Sequence, residues 1–204
     1  MDFLSSGPLG PLGPLGPLGL WTSDLYGVYL KDRLGRYLHD WRLRMVLPHV
    51  RGRVLDVGCG ANALVRQHYG GGVGVDVHQW GDVDVVVPDT AALPFADGEF
   101  DTVTIVAALN HIPNRAAVLV EARRVLKPGG RLILTMIPPG ISTAWHRLRR
   151  QSDADQTERG MKPGEVYGLT ARDVRDLVTR AGFRITGEHR FMLGVNRLTV
   201  AERP

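Results

Sequence analysis

Asp56-Val57-Gly58-Cys59-Gly60 places one carboxylate and two glycines within five positions, and Asp76 follows Asp56 by twenty. Glycine has no Cβ, so the backbone at Gly58 and Gly60 can bring N–H groups close to a ligand. A carboxylate about twenty residues past such a loop has the spacing of one that holds a ribose diol. The chemistry implied is the binding of a nucleoside-containing molecule. His111 is the residue suited to proton transfer, because neutral imidazole can take a proton from a hydroxyl or an acidic carbon. A structural role for His111 is the equal alternative, and His146 and Tyr167 are weaker candidates. Cys59, the single cysteine, reads as a small buried turn residue and not as a nucleophile. The seven histidines lack metal-ligand spacing, so no metal site is expected.

The surrounding elements explain how these residues would be positioned. Arg53-Val54-Leu55 reads as a strand, Ala61 to Tyr69 as a helix, and Gly72 to Asp76 as a second strand. Strand, glycine turn, helix and strand form a βαβ unit, and the helix would aim its amide dipoles at the ligand. Val83 to Val87 and Thr102 to Ala107 read as the third and fourth strands, and the latter suits a central parallel position. Asn114 is expected to cap a helix through Leu126, with Pro128-Gly129-Gly130 turning into a fifth strand from Arg131 to Ile137. Thr170 caps a last helix ending at Gly182, and Phe183 to Phe191 with Val195 to Val200 form a closing antiparallel pair. Ligands of open α/β sheets bind at the C-terminal ends of the strands, which is where Ala107 to His111 should open.

Asp-x-Gly-x-Gly resembles the first motif of the class I S-adenosylmethionine-dependent methyltransferases. The resemblance continues through Leu93 to Asp101, Leu109-Asn110-His111-Ile112-Pro113 and Arg124 to Arg131, and covers roughly residues 50 to 200. The small-molecule branch that includes quinone-biosynthesis methyltransferases is the most similar. Asn62 stands at the third glycine position and tolerates left-handed backbone better than most residues. The resemblance implies an α/β, Rossmann-like three-layer sandwich with a mostly parallel seven-stranded sheet and an antiparallel last strand. It implies S-adenosylmethionine as cofactor, with Asp76 on the ribose and Asp89 and Thr90 at the adenine. Gly58, Gly60 and Ala107 would take the methionine end. Asp56, Cys59 and Val77 complete the expected cofactor-binding set, and His111 is the catalytic candidate. Because the cofactor's methyl group is already electrophilic, the protein need mainly align a nucleophile and exclude water. A non-catalytic cofactor-binding partner or sensor is the alternative reading, and a dehydrogenase is disfavoured by Asp56 ahead of the glycines.

The 204 residues suit one domain, residues 21–204, behind an arm at 1–20 in which Gly-Pro-Leu repeats four times. An N-terminal cap helix is expected within 21–48, with Tyr26 and Tyr29 at its start, and a polar lid insertion at 141–168. Net charge is +4, and the same surplus arises between Leu20 and Arg53 from seven Lys/Arg against three Asp. Solvated helix faces are the plain reading; peripheral contact with an anionic membrane through the N-terminal helix, with Trp21, Tyr26 and Trp41 at the interface, is the second. No nucleic-acid partner is expected, because the nucleobase-methylating motif is replaced by Ala108-Leu109-Asn110-His111. The substrate expected is a small or lipid-linked metabolite, the location cytoplasmic, and the acceptor atom and oligomeric state stay open.

Overall fold

A computed structural model of the chain describes residues 33–148 and 163–204. The Gly-Pro-Leu arm, Trp21, Tyr26, Tyr29 and residues 149–162 of the expected lid lie outside the described residues. Helix α1 (Arg33–Val46) leads through a 3₁₀ turn into β1 (Val54–Val57). Strands β2 (Gly72–Asp76), β3 (Val85–Val86) and β4 (Phe100–Val106) follow, then helix α2 (Arg115–Val125) and β5 (Leu126–Met136). Helices α3 (Pro139–Leu148) and α4 (Ala171–Arg180) precede β6 (Arg184–Phe191) and β7 (Asn196–Glu202). The sheet order is β3-β2-β1-β4-β5-β7-β6. β1 to β5 pair in parallel, and β7 runs antiparallel between β5 and β6, as expected from the sequence.

Alternate residues of each central strand feed opposite faces, which is why the strands read as continuous apolar runs. Leu55, Val103, Leu132 and Leu134 pack with Val118, Leu119 and Ala122 of α2 and with Val174 and Val178 of α4. On the other face, Val54, Ile133, Leu198 and Val200 meet Leu43 and Val46 of α1 and the turn at Ala63, Leu64 and Val65. The apolar stripe of α1 from Leu38 to Val46 is therefore spent on the sheet. Basic residues beside it are also engaged: Arg53 pairs with Glu99 at 2.7 Å, and Arg51 donates to the Gly129 carbonyl.

Three expectations need correction. The segment after the glycine loop is a six-residue π-helical turn, Leu64–Tyr69, closed by left-handed Gly70, and not a helix from Ala61. Too few amides line up there for the dipole argument to hold. Pro128-Gly129-Gly130 is not a turn before β5 but an irregular stretch inside it; left-handed Gly129 and Gly130 exchange hydrogen bonds of 2.8 and 2.9 Å with Arg203. Asn114 precedes α2 but makes no side-chain cap, since its amide turns to Asp89 instead. The Thr170 cap is present, as a capping box with Asp173. Among the described residues, no helix is long and apolar enough to cross a membrane.

Leu43 is 2% exposed at the contact between α1 and the sheet. Leu43→Ala should cost about 2–5 kcal/mol, measured by denaturant unfolding. A loss under about 0.5 kcal/mol would mean that α1 is not part of the folding unit.

Candidate cofactor and methyl-transfer site

The loop after β1 is fastened to β2 by its own backbone. Gly58 and Cys59 both donate N–H bonds to the Val75 carbonyl, at 2.9 and 3.1 Å, and Gly60 donates to Asp76 Oδ2 at 3.0 Å. Three successive amides that could face a ligand are thus committed within the protein. Gly58 has φ +70°, and a Cβ there would lie 2.5 Å from the Ala108 Cβ, so its glycine admits the turn after β4. Gly60 has φ +54° with nothing within 4 Å of a would-be Cβ, so it borders open space. Asn62 takes the left-handed conformation expected of it, φ 61°. Its side chain donates to the Asp82 carbonyl at 2.9 Å and to Asp84 Oδ2 at 2.7 Å, and Asp84 also accepts the Gly74 amide at 2.8 Å.

Two carboxylates flank this loop. Asp56 is buried at the end of β1, where Thr104 Oγ1 donates to its Oδ1 at 2.6 Å. Burial pushes its carboxyl up to about 7; the Thr104 bond opposes that shift and the charge of Asp76 adds to it. Asp76, at the end of β2, also accepts the His78 amide on Oδ1 at 3.2 Å. Val77 stands exposed just beyond it. Burial, then the charges of Asp56 and Asp76, push the Cys59 thiol far above its usual range, which suits an inert residue.

The other expected residues line the same edge. Val87 donates to the Asp76 carbonyl at 2.9 Å, which brings Asp89 and buried Thr90 beside the end of β2. Asp89 accepts the Ala91 amide at 2.8 Å and the Asn114 side chain at 3.1 Å, and these bonds hold its carboxyl below the usual range. Ala107 adopts φ +54°, a strained value for alanine, while its amide donates to Thr135 Oγ1 at 3.0 Å. His111 ends the following 3₁₀ turn with its Nδ1 3.7 Å from Glu165 Oε2. Sequence reasoning missed Glu165, and it found no carboxylate near the histidines. The only hint was that Gly164-Glu165-Val166-Tyr167 resumes apolar character after a polar stretch. The side chain of His146 lies outside the described residues.

The buried Asp56 has a consequence for stability. Its folded-state pKa, about 7, exceeds the ordinary 3.8, so the folded form holds its proton more tightly. The stability this contributes is complete below about pH 4 and is lost as pH rises through about 7. Asp56→Asn keeps an acceptor for Thr104 and should flatten that fall in thermal melts of the ligand-free protein. An unchanged pH profile would mean that Asp56 ionises normally.

Residues 55–134 match the family model described as a methyltransferase domain. A demethylmenaquinone methyltransferase of Renibacterium salmoninarum is 34% identical over 110 residues, 46% of this chain and 46% of its own length. A 27-O-demethylrifamycin SV methyltransferase of Amycolatopsis mediterranei is 33% identical over 161 residues, 64% of this chain and 59% of its own. The matched stretch thus spans about half the length of these curated relatives. Among solved structures, a SAM-dependent methyltransferase of Methanosarcina mazei superposes with TM-score 0.56 at 20% identity, over 78% of this chain and 96% of that one. The matched segment and the sheet order agree: residues 55–134 carry a methyltransferase domain, set in a sheet like that of the S-adenosylmethionine-dependent methyltransferases.

Proposed function

We propose that this protein transfers a methyl group from S-adenosylmethionine to a small or lipid-linked metabolite, with His111 accepting the proton that the nucleophile gives up. The observation that carries the reading is the loop edge itself. Two carboxylates, Asp56 and Asp76, oppose each other's charge next to the open space above Gly60. A cationic ligand carrying a ribose fits such an edge, because its positive charge favours ionised Asp56 and its diol suits Asp76. S-adenosylmethionine is cationic at its sulfonium and ammonium groups, and its sulfonium supplies an activated methyl. Asp76 would hold the ribose, Asp89 and Thr90 the adenine with Val77 alongside, and Gly58, Cys59, Gly60 and Ala107 the methionine portion. Asp56 acts from beneath the loop.

On the acceptor side, the chain's own work is alignment, exclusion of water and removal of one proton. Ile141 and Tyr167 stand exposed on segments that follow β5, which suits an apolar substrate body. The relatives point the same way: by their names they act on demethylmenaquinone and 27-O-demethylrifamycin SV. A hydroxylated metabolite of that general kind is the substrate class proposed here. The division into an arm at 1–20, a cap helix within 21–48 and a lid at 141–168 belongs to the same reading. So does a reversible membrane contact through the N-terminal helix, where a lipid-linked acceptor would be presented.

Isothermal calorimetry with S-adenosylmethionine should give a micromolar dissociation constant, about −8 kcal/mol. Asp76→Ala should weaken it by about 1.5–3 kcal/mol, roughly 10- to 150-fold, since a hydrogen-bonded charged acceptor is lost. Unchanged affinity would remove Asp76 from the site. Labelled-methyl turnover on hydroxylated quinone-type acceptors separates an enzyme from a cofactor-binding subunit, which would bind without transferring label. In an active preparation, His111→Ala should lower kcat about 10²- to 10⁴-fold with cofactor affinity intact. Near-full turnover in that variant would leave alignment alone as the mechanism.

A further inference from the structure

We infer that Glu165 is the positioning residue for His111: it faces the imidazole Nδ1, keeps the neutral ring protonated there, and leaves Nε2 as the proton acceptor. This deepens the reading of His111 as base and rests on it. The Glu165 side chain is 1% exposed while that of His111 is 20% exposed, so the carboxylate backs a ring that still reaches the surface. The Nδ1 to Oε2 distance is 3.7 Å, within ion-pair range and longer than a hydrogen bond, as catalytic contacts often are before substrate binds. A carboxylate behind an imidazole fixes ring orientation and tautomer and stabilises the imidazolium formed when the ring takes a proton. The proton leaves the acceptor's hydroxyl or carbon for Nε2, and the electron pair left behind becomes the nucleophile.

The approach of Glu165 is built, and not a chance of side-chain length. Val166 donates its amide to the Asn110 carbonyl at 3.0 Å, which pins the segment beside the turn bearing His111. From α2, Arg115 donates to the Leu109 carbonyl at 3.1 Å, to that of Asn110 at 3.2 Å and to that of Gly164 at 2.7 Å. One guanidinium therefore staples both halves of the dyad, using its planar fork on three carbonyls. Gly164, at φ +88°, lies against Pro113, where a Cβ would come 2.9 Å from that residue's own. Arg115 and Glu165 also attract each other electrostatically.

The test is imidazole ¹⁵N NMR of the full chain at a pH where His111 is neutral, with His111 identified by its absence in His111→Ala. The expected wild-type pattern is a protonated, pyrrole-like Nδ1 and a pyridine-like Nε2. Glu165→Gln, which keeps size but not charge, should give mixed tautomers. It should also lower kcat about 10- to 100-fold while cofactor affinity holds, the scale of losses when an outer partner of a histidine is removed. A wild-type ring protonated at Nε2, or an unchanged pattern in Glu165→Gln, overturns the proposal. The wild-type spectrum alone can do so, even if the variant does not fold. Full turnover in His111→Ala would instead defeat the base assignment, while the tautomer still reports on Glu165.

Discussion

The structure depends on how three consecutive loop amides are used. Gly58, Cys59 and Gly60 donate to Val75 and Asp76, so the turn after β1 is an extension of the β1–β2 pairing. Buried backbone donors must find partners, and these find them in the neighbouring strand. Everything else at the site is placed relative to that turn. The Ala108 turn approaches it through Gly58, Asp76 is held by Gly60, and the third strand reaches it through Val87. The glycines serve the protein's own close packing and its left-handed backbone at least as much as any ligand.

The arrangement carries an electrostatic tension in the absence of ligand. Asp56 is buried with one hydroxyl donor and a second carboxylate near it, an environment that disfavours its charge. On the function proposed above, a cation at the loop edge would relieve that tension by favouring ionised Asp56. The protein uses a similar device elsewhere: Asp84 accepts from Asn62, from Gly74 and from Arg66, one carboxylate holding several segments together.

Much of this was legible in the sequence because it is local. Parallel strands covered on both faces print as apolar runs, and the Asp56, Gly58, Gly60 and Asp76 spacing reports a strand–turn–strand unit directly. Asn62 as a left-handed residue was readable for the same reason. What escaped is what depends on distant loops meeting. Glu165 lies far from His111 in the chain and just past a polar stretch, where no periodicity distinguishes it. Thr104 beneath Asp56 lay hidden in a strand that read only as apolar. Asn114 was misread as a cap because its type permits both a cap and a bond to Asp89, and only the packing of the turn chooses between them.

The position of β7 between β5 and β6 has a consequence for how the chain is made. β5 is the longest of the described strands, and on one side its partner is β4, which precedes it. On the other side it waits for β7, which emerges from the ribosome only after α3, α4 and β6. Until then, Ile133 and Leu134 sit on a long open edge of unpaired amides and carbonyls, and β6 has no place to dock, because β7 is its neighbour. Such an edge invites pairing with other nascent chains. The final described strand is a keystone: synthesis must run through Glu202 before the sheet can close, and the vulnerable interval is set by translation speed.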